Sequence, residues 1–397
     1  MGMYVAFVYY GLRDYDVAST ERGGDLVLPI VGLPARVHVV DRPTTATALV
    51  IALVVAALLG VVVYALVFRP LRNAPALARI VGSLGVFLYL QSVMQIRASE
   101  TGAGAASLRL TSLFPDGVVH VGTAVVPVSS FVLAGIAGAV ALGLGAVFRY
   151  TRFGLATRAA AENEKGAVLT GLSPDRLGFL NWAMASVLAG AAVIAIAGIT
   201  SKLDPVETSL LVVPALAAAL LGGLDGFALT TVAGLAIGMS QSVLSTVQTR
   251  ATWIPDVFPR GGLREALPVV LIIVAITLRG ARLPTRETVV ETRLPASPTP
   301  RHQWWWALLL GTAALVGLLT LDAQWRLAIV VSTIAALIAL STVVITGYVG
   351  QISLAQYAFA GLAAFTTAKL AVGGLGFPWA PLLAVLITLV VGILVGI

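Results

Sequence analysis

Apolar residues run along most of this chain without the regular polar gaps of a soluble helix or strand. Uninterrupted apolar stretches of about 20 residues predict membrane-spanning helices. They fall at residues 46–68, 77–96, 128–148, 179–199, 227–247 and 265–279, and again at 305–321, 326–346 and 378–397. Residues 209–222 are apolar but short, and Pro214 interrupts them. That pattern predicts a broken or re-entrant helix, which membranes tolerate where the backbone lines a protein-buried cavity. Residues 1–12 are too short to span and lack the basic start of a secretory signal. They read as the end of a helix whose beginning precedes the chain.

The polar stretches between these spans differ in kind. Residues 149–178, RYTRFGLATRAAAENEKGAVLTGLSPDRLG, form a basic interruption carrying Arg149, Arg152, Arg158, Lys165 and Arg176. Such charge beside spans predicts the cytoplasmic side. Within it, Ala160 to Leu169 favours helix, Gly171 is a stop signal, and Ser173-Pro174 starts the next segment. A short helix there would lie across the membrane face and offer a docking surface; a solvated loop that only fixes topology is the alternative. Residues 13–45 read as an exposed loop and 98–127 as an external loop, the second with a short hairpin around VHVGTAVVPVSS. Gly222 to Gly226 mark a tight turn. Residues 280–303 carry four prolines and mixed charge with an Arg excess, which predicts a cytoplasmic linker. Trp304, Trp305 and Trp306 then read as an interfacial anchor.

Composition strengthens the membrane reading. The hydrophobic fraction is 58% and the charged fraction 11%, against roughly 25% charged in a soluble domain. The length of 397 residues accommodates about ten spans with their loops. No cysteine is present, which excludes disulfides and cysteine-ligated metals. His38, His120 and His302 lie far apart in loops, so a histidine metal site is not expected. The net charge of +7 reads as a topology signal rather than nucleic-acid binding.

Polar groups inside the spans are few. Gln91 and Gln95 lie one helical turn apart, either as helix-to-helix hydrogen-bonding groups or as the lining of a polar path. Gly347 and Gly350 predict a helix break at membrane depth, with Gln351, Ser353 and Gln356 supplying donors and acceptors beside it. Transporters place ligand contacts at such breaks, though these groups could equally satisfy the freed backbone. Gly135, Gly138, Gly143 and Gly145 predict close helix approach in the span 128–148.

Residues 154–198 resemble the cytoplasmic loop and following helix of LivH-type permeases, membrane subunits of ABC importers for branched-chain amino acids and related amides. Arg158, Ala159, Ala161, Glu162, Asn163, Gly171 and Leu172 fill that pattern, followed by Leu188-Ala189-Gly190 and Gly198. The turn Arg69-Pro70-Leu71-Arg72 resembles another conserved family feature. Residues 345–370, ITGYVGQISLAQYAFAGLAAFTTAKL, resemble the LivM-type signature, with Ala355-Gln356 in place of Gly-His.

The resemblance implies an all-α, polytopic transmembrane helical bundle of the ABC importer permease type. It divides into a LivH-like domain over 1–279 with a truncated N-terminus, the linker, and an incomplete start of a LivM-like domain over 304–397. It implies coupling to an ATPase through Arg158, Ala161, Glu162, Asn163, Gly171 and Leu172. The translocation path would involve Gln91, Gln95, Gly347, Gly350, Gln351, Ser353 and Gln356. The implied partners are two ABC ATPase subunits, an extracytoplasmic solute-binding protein, membrane lipid and a second permease chain. The implied place is the bacterial inner membrane, and the cargo a branched-chain amino acid, a small amide or urea.

Other classes fit less well. A proton-coupled carrier wants an acid or His deep in a span, and the predicted spans have none near their centres. An ion-coupled secondary transporter using backbone carbonyls stays open. No nucleophile, acid–base pair or metal cluster points to an enzyme or a cofactor. The chain has no phosphate-binding G-x-x-x-x-G-K-[ST] loop, so ATP hydrolysis would have to come from a partner.

Overall fold

The computed structural model describes residues 1–13, 24–29, 36–40, 43–74, 76–100, 113–115, 117–121, 124–200, 203–224, 226–250, 262–279, 303–348 and 355–396. Nearly all of them are helical. The chain divides into two compact units, Met1–Thr292 and Arg293–Ile397.

The first unit is built on helix α1 (Gly2–Arg13), whose residues from Gly2 to Tyr9 and Leu12 are buried. A helix that is apolar all round belongs inside a bundle. Strands β1 (Asp25–Val27) and β2 (Arg36–His38) follow and pair antiparallel. The Tyr4 hydroxyl donates to the Val27 carbonyl, tying this ribbon to α1. Residues 25–27 and 36–38 are therefore paired strand, where composition predicted an exposed loop.

Helix α2 (Thr45–Val63) is capped by the Thr44 hydroxyl and continues as a widened π-turn over Tyr64–Phe68. Helix α3 (Ala76–Glu100) follows the Arg69–Arg72 turn. Strands β3 (Val118–Val121) and β4 (Ala124–Pro127) form the expected hairpin, with His120 opposite Val125. Helix α4 (Val128–Tyr150) leads to the short helices α5 (Arg152–Glu162) and α6 (Glu164–Leu169). Helix α7 (Pro174–Thr200) then crosses back.

Helices α1, α2 and α7 form the core, and glycines let them approach. A Cβ on Gly60 of α2 would sit 2.5 Å from the Trp182 carbonyl oxygen of α7. One on Gly190 of α7 would meet Val5 of α1 at 2.7 Å, and one on Gly2 would meet the Ala189 carbonyl oxygen at 2.5 Å. Small residues bring backbones together in this way where lipid supplies no hydrophobic drive. The glycines singled out for this role in α4 do not perform it. Gly135, Gly138, Gly143 and Gly145 face open space among the described residues, so close approach is set by the glycines at the α1–α7 and α2–α7 contacts rather than by glycine frequency.

The apolar stretch 209–222 is broken, as its proline suggested. It forms α8 (Pro205–Leu210) and α9 (Val212–Leu221). The break precedes Pro214, which lies in the first turn of α9, where a missing N–H costs nothing. Helix α10 (Phe227–Arg250) and helix α11 (Gly262–Arg279) complete the unit. Ala217 and Ala218 of α9 and Ile237 of α10 form a second small core with Leu267 and Leu271 of α11. Pro268 interrupts α11 and cannot donate to the Arg264 carbonyl four residues back. The Gln241 amide of α10 donates to that carbonyl instead, at 3.0 Å.

The second unit contains α12 (Gln303–Thr320), α13 (Ala323–Thr342), α14 (Gln356–Val372) and α15 (Trp379–Gly396). Helix α13 runs on as a π-turn over Val343–Tyr348. Gly347 is thus inside a widened turn and does not itself end the helix. Trp304, Trp305 and Trp306 are exposed, as an interfacial anchor requires.

Six helical segments among the described residues are long and apolar enough to cross a membrane, and three shorter apolar ones accompany them. This is fewer than the length alone accommodates, because the α8–α9 pair and the helices beginning at Trp304 and Trp379 fall short of a full span by this measure. The protein is a multi-pass, all-helical membrane protein.

Candidate functional site

The basic interruption folds into two helices rather than one. The single helix expected over 160–169 is divided at Asn163, which adopts an extended backbone with φ −145°. Its side-chain oxygen accepts from the Gly166 N–H at 2.8 Å and so caps α6. Asparagine competes with the helix for backbone donors in this way, which favours caps over helix interiors. At the other end Gly171 has φ +83°. Its N–H donates to the Val168 carbonyl, and the Leu172 N–H reaches the Ala167 carbonyl, both at 3.0 Å. This is the paired terminal bonding that a left-handed residue after a helix permits. Gly171 is the stop signal that the sequence suggested.

The segment is fixed to the bundle at several points. The Thr151 hydroxyl caps α5 through the Gly154 N–H at 3.2 Å. Gly154 lies against the Phe148 backbone, where a Cβ would come within 2.4 Å. The Asn181 amide of α7 donates to the Thr157 hydroxyl of α5 at 3.4 Å. The turn after α2 supplies the charged clasp. Arg72 donates to Asp175 at 3.0 Å and pairs with Glu164, and Arg69 lies 3.4 Å from Asp175. Glu164 is in the first turn of α6 and Asp175 in the first turn of α7, where an anion also complements the helix dipole. Behind the clasp Phe68 stacks on Trp182 with centroids 4.1 Å apart.

What the segment shows outward is mixed. Arg158, Ala161, Glu162 and Asn163 are exposed, and Leu172 is half-buried. Leu169 is 88% exposed, and Leu155 and Val168 are also open. Those three apolar side chains, and the acids Glu164 and Asp175, were not read as functional in the sequence. The Arg69–Arg72 pair entered the sequence reading only as part of a family-like turn.

The residues proposed for a path are not gathered into one place. Gln91 is half-buried and Gln95 exposed. The buried face of α3 carries Leu90, Val93, Met94 and Arg97. Gln95 sits about 100° around the helix from the buried Met94, on the exposed side. In the second unit Gln356 is only 7% exposed. Its amide nitrogen has no hydrogen-bond partner among the described residues. Gly350, Gln351 and Ser353 lie outside the described residues.

The family model for the permease component of branched-chain amino acid transport systems matches residues 1–276. The high-affinity branched-chain amino acid transport permease LivH of Escherichia coli K12 is 27% identical over 199 residues, covering 49% of this chain and 63% of that protein. The probable branched-chain amino acid transport permease LivH of Methanocaldococcus jannaschii is 26% identical over 231 residues, 57% of this chain and 69% of the relative. The permease BraD of Pseudomonas aeruginosa is 23% identical over 190 residues, 48% of this chain and 62% of the relative. The chain thus spans less than two thirds of the E. coli protein that it resembles. No solved structure matches. The matched range takes in α1 through most of α11 and contains the α5–α6 segment with its clasp. On this evidence the chain belongs to the permease-component family of branched-chain amino acid transport systems.

Proposed function

We propose that the chain forms the membrane path of an ATP-driven importer in the bacterial inner membrane, with α5–α6 seated on an ATPase subunit. Family membership carries this reading. The α5–α6 segment supports it physically. A docking element must present a surface and also transmit displacement. Leu169, Val168 and Leu155 give an exposed apolar patch, and the Arg72–Glu164–Asp175 clasp joins the segment to both α2 and α7.

The cargo in this reading is a branched-chain amino acid or a related small amide or urea. The partners are two ATPase subunits, a solute-binding protein outside the membrane, lipid and a second permease chain. The domain at 304–397 is read as the start of a LivM-like permease, from the signature over 345–370. In this reading ATP hydrolysis is supplied by the ATPase partners, because the sequence holds no G-x-x-x-x-G-K-[ST] loop.

The test is reconstitution of the chain with two ABC ATPase subunits and a solute-binding protein. ATP-dependent uptake of radiolabelled leucine into proteoliposomes is expected, with Leu169→Asp weakening co-purification of the ATPase. Uptake that follows an ion gradient and ignores ATP would replace this reading with the ion-coupled carrier.

A further inference from the structure

A cavity of about 390 Å³ opens between the end of α7, the α8–α9 break and the start of α11. Its volume falls in the range of small-molecule sites, roughly 300–1,000 Å³. It lies at the C-terminal end of α7. The clasp lies at the other end, about 40 Å away along a 27-residue helix. The cavity is therefore remote from the α5–α6 segment.

Its lining has two chemistries. Ile196 and Leu211 contribute to an apolar wall, while Asp204, Glu207, Arg264 and Glu265 bring charges of both signs. Asp204 is committed to structure, since its carboxylate accepts from the Glu207 N–H at 3.2 Å. Arg264, Glu207 and Glu265 form no ion pair among the described residues. Opposite charges that line one cavity without pairing leave room for a dipolar guest between them. The backbone under Arg264 is held by the Gln241 amide across the Pro268 interruption, so the guanidinium stands on a fixed base.

We propose that this cavity binds a zwitterionic α-amino acid, with Arg264 taking the carboxylate, Glu207 and Glu265 the ammonium, and the apolar wall the side chain. The assignment rests on the importer reading for what is delivered to the cavity. It disfavours urea or a simple amide there, because a neutral guest leaves both charges unmatched.

The test is equilibrium binding of radiolabelled L-leucine to the full chain in lipid nanodiscs, without ATPase or binding protein. Saturable binding is expected. Arg264→Gln and the pair Glu207→Gln/Glu265→Gln should each weaken it about tenfold or more, the scale of a lost charge-assisted hydrogen bond. Isocaproate and isoamylamine, each lacking one charge, should compete at least tenfold less well than leucine, and urea not at all. If Arg264→Gln does not fold, Arg264→Lys, which keeps the charge but loses the planar fork, should retain part of the binding. No saturable binding, or unchanged binding in the charge variants, overturns the assignment. Proteoliposome uptake is scored separately. ATP-driven uptake without binding to the free chain removes the cavity and keeps the importer; binding without ATP-driven uptake does the reverse.

Discussion

A valine at position 171 would have to adopt the φ of +83° that Gly171 holds. The left-handed region costs a residue with a Cβ about 1–2 kcal/mol, and a β-branched one more. That cost falls on the end of α6, outside the packed core, so Gly171→Val is expected to leave the spans inserted while impairing ATP-driven uptake. Gly171→Asn should be milder, because asparagine tolerates this region. Uptake per inserted transporter measures both, and parental uptake in the valine variant would remove the coupling role. The clasp behaves differently. Its side chains are all more than a third exposed. Exposed ion pairs contribute only about 0–1 kcal/mol. Glu164→Gln is therefore expected to shift thermal stability little, yet to lower the coupling of ATP hydrolysis to uptake if the clasp transmits motion. In the second unit Gln351→Leu and Ser353→Ala should slow uptake without weakening capture by the binding protein; unchanged uptake would leave both as helix packing.

Between helices, contact geometry decides which small residues matter. Gly60→Ala places a methyl against the Trp182 carbonyl oxygen, where backbone rather than a flexible side chain must move. Overpacking of this kind costs about 1–3 kcal/mol, so a lower melting temperature is expected for Gly60→Ala in detergent and none for Gly138→Ala. Equal melting of the two would show that α2 and α7 are not packed as described. The α10–α11 contact makes a reciprocal prediction. Gln241→Leu leaves the Arg264 carbonyl without its donor, at about 1–3 kcal/mol if water does not replace it. Pro268→Ala supplies an N–H to the same carbonyl, so the double variant should recover stability that Gln241→Leu loses. The sequence made the first level of this order legible. Apolar run length located the six membrane-length helices, Pro214 the broken helix, and Gly171 the helix end. It did not separate Gly60 and Gly190 from the α4 glycines, because glycine looks the same whether a neighbour's backbone lies opposite it or open space does. Nor did it show that Gln241 serves the carbonyl freed by Pro268, since the two are 27 positions apart and meet only through antiparallel packing.

At the scale of the whole chain, the decisive quantity is which ends of the helices lie together. The Phe148 ring of α4 packs against Phe153 of α5 at 5.9 Å and Phe227 of α10 at 5.3 Å. The start of α10 is therefore at the same end of the first unit as α5. Helix α11 begins beside Gln241 and shares Leu267 and Leu271 with the small core around Ile237, so it runs back along α10 toward that end. Broken α8 and α9 together carry the chain from the far end of α7 to the start of α10. This order agrees with the charge bias read from sequence, in which both 149–178 and 280–303 carry excess arginine. The prediction is that the two segments share the cytoplasmic side. The absence of cysteine from the chain makes the test direct. Lys165→Cys and Val290→Cys, made singly in cells, should both resist a membrane-impermeant maleimide applied outside and both react once the membrane is opened. Labelling of one position from outside and not the other would mean an odd number of crossings between them, and α8–α9 would then have to return to the side from which it started.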